Sequence, residues 1–176
     1  MLPIHVAARA GCMPIVRVLV ERDPSLVNAA NPKDDRSPLH YCVDEGEENV
    51  LTVGLLLKHH ADPNATTNIG DTPLGISTRK RLLEVSQLLI GAKANVNATE
   101  EDMKDSPLFS VVKTCDLVML EALIEAKCDP TASDEYGKGA LHVAAYVVAH
   151  FVDAASVVQF VYAMVMTVLC AYQTSE

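Results

Sequence analysis

The sequence predicts an all-α solenoid of stacked helix-turn-helix units, and three features of the chain support this fold class. The motif Ser37-Pro38-Leu39-His40 recurs, with its proline or the replacing alanine at positions 3, 38, 73, 107 and 140, so that the steps are 35, 35, 34 and 33 residues. An apolar run at helical spacing follows the first four copies, and a similar polar tail closes three units. A period of this length is typical of helical solenoids.

The first helix of each unit is predicted to begin at the proline of the motif. Ser37, Thr72 and Ser106 stand just before the prolines, and a side-chain hydroxyl at that position can accept a hydrogen bond from an unpaired backbone N–H. Proline at the first helical position loses no hydrogen bond. Each copy of the motif therefore indicates a helix start.

The second helix of each unit is predicted from apolar residues spaced three or four apart. Four units carry such a run, made up of Ile15, Val16, Leu19 and Val20; Val53, Leu56 and Leu57; Val85, Leu88 and Leu89; and Met119, Leu120, Leu123 and Ile124. Two short helices per unit follow from these runs.

The polar tails at residues 61–65, 94–98 and 128–132 complete a pattern that resembles the ankyrin repeat, with its T-P-L-H-x-A-A, I-V-x-x-L-L and G-A-D-V-N-A segments. The resemblance covers about residues 1–150. It implies a single domain over 1–176 with connecting β-turn or hairpin loops and five units, at about 1–31, 32–66, 67–99, 100–133 and 134–176. The first and last units are atypical.

Several positions depart from the repeat pattern. Gly11 can take the positive φ that ends a first helix, whereas Arg81 and Cys115 stand where that glycine is expected. Unit two has two extra residues around 47–49, which predicts a longer loop between its helices.

Composition and charge restrict the function. The 176 residues carry a formal net charge of −9 with a pI of about 5.0, and an acidic chain repels nucleic-acid phosphate, so we expect no nucleic-acid partner. Five cysteines without a C-x-x-C pair favour reduced thiols and a cytoplasmic location, with a nuclear location as the alternative. No secretory signal precedes the first motif, and the start within a unit leads us to expect a fragment of a longer protein.

Residues 154–175 contain no charged side chain, which leaves two interpretations open. The length is close to the roughly 20 apolar residues that span a bilayer, which would make the segment a membrane anchor. Its apolar residues nevertheless lie on one helical face, and basic flanking residues are missing, which favours an amphipathic last helix that caps the solenoid or self-associates.

The sequence predicts no catalytic, cofactor or metal site. The resemblance implies that His5, His40 and His142, which share one repeat position, are structural residues that bond the helix start of their own and the neighbouring unit. His59 and His60 are adjacent, so on a helix they cannot share one metal-binding face. Asn64 and Asn97 match the glycosylation pattern because the repeat tail ends in Asn-Ala, and no nucleotide-binding, hydrolase or zinc motif occurs.

Partner binding is the remaining function, and the resemblance implies that partners contact the turn tips and the first helices on a concave surface. The candidate residues are Arg36, Asp44, Glu45, Ile69, Asp71, Arg79, Lys80, Glu101, Asp102, Lys104, Lys113, Tyr136, Lys138 and Tyr146.

The charges predicted for the first helices alternate in sign from unit to unit. Arg9 is expected to face Asp44 and Glu45, which in turn face Arg79 and Lys80. The alternation is explained either by ion pairs between repeats or by a mixed-charge groove for a peptide. The acidic tip at 100–105 would offer a patch to a basic segment.

Three functions are consistent with these features. The first is a non-catalytic scaffold or adaptor that binds a partner protein or peptide through the concave face. The second is the regulatory or targeting domain of a larger enzyme or channel. The third is a tail-anchored membrane adaptor that uses residues 154–175.

Overall fold

The computed structural model describes residues 1–45, 49–99, 106–132, 139–140 and 142–143. The candidate binding residues Glu101, Asp102, Lys104, Tyr136, Lys138 and Tyr146 lie outside the described residues. The segment 154–175 and most of the longer loop predicted in unit two lie outside them as well.

Short helices follow one another along the chain as pairs of a first and a second helix. The helices are α1 (Pro3–Arg9), α2 (Met13–Arg22), a 3-10 helix (Pro24–Asn28), α3 (Pro38–Asp44), α4 (Val50–Lys58), α5 (Pro73–Arg79), α6 (Leu83–Gly91), α7 (Pro107–Thr114) and α8 (Leu117–Glu125). The motif proline is the first residue of α1, α3, α5 and α7. The predicted helix starts and the two helices per unit are confirmed in the first four units.

The helix pairs stack into two layers. Each first helix packs on the first helix of the next pair, which joins α1, α3, α5 and α7, and the second helices α2, α4, α6 and α8 pack in the same order. The fold is an all-α helical solenoid, as predicted.

The hydrophobic core lies between the two layers and repeats from pair to pair. Leu56, Leu89 and Leu123 occupy equivalent positions of α4, α6 and α8 and are fully buried, and Val20 of α2 is almost fully buried. Burying one such side chain contributes about 1.5–3 kcal/mol. Because helices this short are marginal in isolation, the stacking holds them.

The capping hydroxyls behave as predicted in two helices of three. Thr72 Oγ1 accepts a hydrogen bond from Gly75 N at 3.1 Å, and Ser106 Oγ accepts one from Phe109 N at 3.5 Å. The prediction for Ser37 is wrong, since its hydroxyl lies 2.8 Å from Nδ1 of His40 instead. A ring nitrogen at the third helical position competes for the hydroxyl, and the other two helices have no histidine there.

A left-handed residue follows α1, α5 and α7 among the first helices and α4, α6 and α8 among the second helices, whereas α2 is followed by Asp23 with φ −140. Gly11 has φ +63, as expected, and Arg81 and Cys115 adopt φ values of 60 and 53 although they are not glycines. After the second helices, the non-glycine residues His60, Lys93 and Lys127 also have positive φ. The positions of these turns follow the repeat and persist where the glycine is replaced.

None of the helices within the described ranges is both long enough and apolar enough to cross a bilayer.

Candidate functional site

The candidate site is the surface formed by the ends of the first helices and by the loops that lead into them. We call it the first-helix face, and its described residues are Arg9, Lys33, Asp34, Arg36, Asp44, Glu45, Asn68, Ile69, Arg79, Lys80 and Lys113. Stacking of α1, α3, α5 and α7 brings these residues from four successive units onto one surface.

Ion pairs join neighbouring units across this face. Arg9 Nε lies 2.8 Å from Glu45 Oε1, and Lys80 Nζ lies 2.7 Å from Asp44 Oδ1. Lys80 Nζ also donates a hydrogen bond to the backbone carbonyl of Asp44. The predicted alternation of charge is therefore realised as contacts between α1 and α3 and between α3 and α5.

Asp44 is the centre of this charge network. Its carboxylate also accepts a hydrogen bond from Arg36 Nη1 at 2.7 Å, and the Arg36 guanidinium lies 5.9 Å from the centre of the Tyr41 ring. Partial burial would raise the pKa of Asp44, but the hydrogen bonds from Lys80 and Arg36 hold that pKa below its usual value. Asp44 therefore stays ionised and links two cations from different units.

Asp71 does not belong to the exposed part of the face. Its side chain is buried, its carboxylate lies 2.9 Å from Arg79 Nη2, and its backbone carbonyl receives His40 Nε2. Sequence spacing placed Asp71 at a turn tip, but the stacked units enclose it. We leave it out of the surface that is offered to a partner.

The loops that lead into α3 and α5 are the hairpin-like turns that the resemblance implies. Asn31 N donates to Arg36 O at 3.0 Å, and Thr67 N donates to Asp71 O at 3.0 Å. Asn68 N donates to Asp34 O at 3.1 Å, which ties the two tips together. Ile69 is 48% exposed at its tip, so an apolar side chain lies beside the charged residues.

A polar network under the first tip was not predicted. Asn31 Nδ2 donates to the hydroxyl of Tyr41 at 2.6 Å and to Asp34 Oδ1 at 2.8 Å, and the Tyr41 hydroxyl donates to Asp34 Oδ2 at 3.0 Å. Burial, with the nearby Asp34 carboxylate, raises the pKa of Tyr41. The sequence signal for this network was Tyr41 in a first helix, because a tyrosine hydroxyl needs a hydrogen-bond partner when the ring is buried.

Two of the three repeated histidines, His5 and His40, are structural as the resemblance implies, whereas His142 is exposed. His5 Nδ1 accepts from Leu2 N at 2.9 Å and its Nε2 lies 2.6 Å from Ala29 O. His40 Nδ1 accepts from Ser37 N at 3.1 Å and its Nε2 reaches Asp71 O at 3.2 Å. Burial lowers the pKa of His40, and the positive charge of Arg36 lowers it further. Both rings therefore connect a helix start to a downstream loop.

Asparagines of the repeat tails form a second set of contacts between units. The side-chain oxygens of Asn28, Asn64 and Asn97 accept from the backbone N–H of Asp62, Asn95 and Asp129, at 2.8, 2.6 and 2.7 Å. The recurrent Asn-Ala of the tails was the sequence signal, but Asn28 is the last residue of a 3-10 helix and was not recognised as a member of the set.

In the described part of the chain, no group of three or more His, Cys, Asp or Glu residues could hold a metal ion. Burial raises the pKa of Cys42 to about 12 and that of Cys128 to about 11, so both thiols stay protonated at neutral pH. The chemistry that this surface offers is charge and hydrogen-bond recognition.

Comparison with known proteins identifies the repeat. A family model described as "Ankyrin repeats (3 copies)" matches residues 1–67. The chain is 38% identical over 102 residues to the Neurogenic locus notch homolog protein 1 of Xenopus tropicalis, a match that covers 58% of this chain and 4% of that protein.

Two further relatives match a similar length. The B-cell lymphoma 3 protein homolog of Mus musculus is 32% identical over 105 residues, which are 60% of this chain and 22% of that protein. The Nuclear factor NF-kappa-B p105 subunit of Gallus gallus is 32% identical over 111 residues, with 58% of this chain and 11% of that protein covered. The chain thus spans less than a quarter of the length of these three relatives.

Proposed function

Since the chain belongs to the ankyrin-repeat family, we propose that it is a non-catalytic module that binds a partner protein or peptide through the concave face of its first helices and turn tips. Ankyrin repeats are protein–protein interaction modules. The proposal adds which face is used and which residues make contact.

One observation carries the proposal: exposed charged side chains of neighbouring units meet on one continuous surface. Arg9, Asp44, Glu45 and Lys80 are held in position by ion pairs between units, so the pattern of charge is set before a partner arrives. Ile69 adds an exposed apolar side chain at the tip. Apolar anchors with a charged surround are typical of recognition surfaces.

The ion pairs do not prevent partner binding. A pair between exposed side chains contributes about 0–1 kcal/mol, so a partner that offers charges of its own can replace it at little cost. The gain would come from side chains packed on Ile69 and from the matched charges, which mainly raise specificity and the association rate. Binding should therefore weaken with added salt.

Affinity capture with matched variants tests the choice of face. Proteins retained by the immobilised full chain are compared with those retained by the double variant Ile69→Asp and Lys80→Glu, and by Lys93→Glu, which reverses an exposed charge near the repeat tails. We expect the double variant to lose partners that Lys93→Glu retains, with at least a tenfold weaker Kd. Equal retention by all three chains would contradict binding through this face.

A basic segment of the partner is proposed for the acidic tip at 100–105. The support comes from the sequence, which places Glu100, Glu101, Asp102 and Asp105 within six residues. A fluorescent lysine-rich peptide should bind the full chain and lose affinity on Glu101→Lys with Asp102→Lys. An unchanged affinity would show that the tip does not take part.

A regulatory or targeting role within a larger protein is the second proposal. It is supported by the matched relatives, of which this chain spans 22% or less. An antibody against the chain should then detect, in source cells, a protein well above 19.0 kDa. Detection of a 19.0 kDa protein and no larger one would rule the role out.

A cytoplasmic or nuclear location is proposed on the basis of the five cysteines without a C-x-x-C pair, and imaging of a fluorescent fusion tests it. Residues 154–175 lie outside the described residues. Flotation with liposomes of the full chain, beside a version ending at Asp153, tests the membrane-anchor alternative directly.

A further inference from the structure

The exposed side of the second helices forms a surface that the proposed function does not use. We call it the second-helix face. Its exposed apolar side chains come from all four helices and are Ile15 and Val18 on α2, Leu51 on α4, Leu88 on α6 and Val118 on α8. Leu51 is 74% exposed, which is unusual for a leucine in the middle of a repeat. A partner laid across this face would remove these side chains from water.

The charge on this face changes sign from one end to the other. The last residues of the four helices are Arg22, Lys58, Gly91 and Glu125. The helices α2 and α4 together carry three basic residues and one acidic residue, whereas α6 and α8 carry three acidic residues and no basic residue. The face therefore has a basic half and an acidic half.

The described charged side chains of the second-helix face make fewer ion pairs than those of the first-helix face. In the described ranges Arg9, Arg36 and Lys80 are all bound to a carboxylate. Arg22, Lys58, Glu121 and Glu125 are exposed, and none of them makes an ion pair with another described residue. The charges of the second-helix face are therefore available to a partner.

We propose that the second-helix face binds a second copy of this chain. A two-fold axis parallel to the helices lays α2 of one copy on α8 of the other and α4 on α6. The basic half of each copy then meets the acidic half of the other copy. This contact occurs twice, because a two-fold axis repeats every interaction. Ile15 lies opposite Val118, and Arg22 lies opposite Glu125.

The structure provides a place for the arginine. A cavity of about 280 Å³ lies between α6 and α8 and is lined by Gln87, Ile90, Gly91, Ala122, Glu125 and Ala126. Gly91 has no side chain and a Cβ there would meet nothing within 4 Å, so the opening is not filled from within. The Arg22 side chain of the second copy reaches the Glu125 carboxylate across this opening.

The size of the face sets the strength of the contact. Helices of nine or ten residues are about 14 Å long, and four of them spaced about 9 Å apart give a face of roughly 500 Å². Two copies would bury about 1,000 Å² in total, at the low end for specific interfaces. A reversible dimer with a Kd on the order of micromolar follows, and salt should weaken it.

Charge reversal on exposed positions tests the arrangement. The first variant carries Arg22→Glu with Lys58→Glu, and the second carries Glu121→Lys with Glu125→Lys. Each variant brings like charges together in its own dimer, whereas a mixture of the two restores opposite charges at both contacts. Lys93→Glu, which lies outside the face, serves as the control for a change of net charge.

The measurement is sedimentation equilibrium of the full chain at low salt. We expect wild type and Lys93→Glu to dimerise, each double variant alone to associate at least tenfold more weakly, and the mixture to recover the wild-type Kd. A wild-type monomer at about 100 μM would overturn the proposal. Double variants that associate as wild type, or a mixture that stays monomeric, would also overturn it and would place self-association on another surface, such as residues 154–175.

Discussion

Single side chains carry many of the contacts between neighbouring units. His40 Nε2 reaches Asp71 O, Thr52 Oγ1 donates to Gly11 O at 3.2 Å, and Cys42 Sγ lies 3.1 Å from Ala8 O. Each of these groups is buried or partly buried, so that loss of one leaves a backbone carbonyl without its partner. Such a loss typically costs about 1–3 kcal/mol.

The protonation of His40 should make stability depend on pH. A histidine of the unfolded chain takes up a proton near its ordinary pKa of 6.5, whereas burial lowers the pKa of His40 in the fold. Between these two values the unfolded state binds more protons, so the free energy of unfolding falls by up to about 1.4 kcal/mol for each pH unit of acidification. The stabilisation is complete above pH 6.5 and is lost as the pH falls towards the pKa of His40 in the folded chain.

Urea unfolding between about pH 5.0 and 7.5 measures this effect. His40→Gln should be less stable than wild type at the upper end of this range, because a hydrogen bond between units is weakened. It should also lose much of the pH dependence that wild type shows in the acidic part of the range. An equal pH dependence in both chains would assign it to other groups.

Gly11 and Gly54 offer a matched pair of glycine substitutions. A Cβ on Gly11 would lie 2.0 Å from Asn49 Oδ1, and Gly11 also has φ +63, whereas a Cβ on Gly54 meets nothing within 4 Å. Gly11→Ala should cost about 2 kcal/mol or more, while Gly54→Ala in the interior of α4 should gain about 0.5–1 kcal/mol. Thermal unfolding checks both, and a stabilised Gly11→Ala would refute the close contact with Asn49.

The helices and the tails between them are stable only as neighbours. Each of the described helices has ten residues or fewer, below the length at which an isolated helix persists in water. The asparagine side chains of the tails add contacts at the edge of the stack, where Asn64 accepts from Asn95 N and donates from Nδ2 to Lys93 O at 3.3 Å. A tail thus fixes the position of the next unit.

Removal of one tail contact should loosen the following turn. Asn64→Ala loses both hydrogen bonds, and we expect a loss of about 1–2 kcal/mol with faster hydrogen exchange at the Asn95 amide. Asn68→Ala is the control, because the contact of that residue to the first tip uses only its backbone N–H. Similar losses in the two variants would argue against a stabilising role for the tail asparagines.

The units that the structure describes form a stack in which each unit contacts its neighbours. In such a stack, stability is the sum of terms for single units and for the interfaces between them. The buried leucines of the second helices contribute to both terms, because α4 packs on α3 in its own pair and on α2 and α6 in the adjacent pairs. A defect in one unit should therefore spread with decreasing effect.

Leu56→Ala tests this decrease with distance. Leu56 is fully buried, and truncation should cost about 2–5 kcal/mol. Hydrogen exchange should speed up most in α4, less in α2 and α6, and least in α8. A uniform change across all four helices would instead show that the stack opens as a single cooperative unit.

The sequence by itself determined the repeat, the helix starts and the alternation of charge, because proline, capping hydroxyls and apolar spacing act on the chain locally. The left-handed turns at Arg81 and Cys115 also follow from register alone, since the repeat dictates where a helix must end. Much of the described first-helix face could thus be predicted before the structure was known.

Only the tertiary structure decided which of these groups are paired, buried or exposed. Stacking of the units encloses Asp71, directs Ser37 to His40 and joins Arg36 and Lys80 through Asp44. It also leaves Leu51 exposed, on a face that is basic at one end and acidic at the other. Burial and pairing depend on how closely neighbouring units approach, and that distance is set by packing between residues some 33 to 35 positions apart, which no local pattern contains.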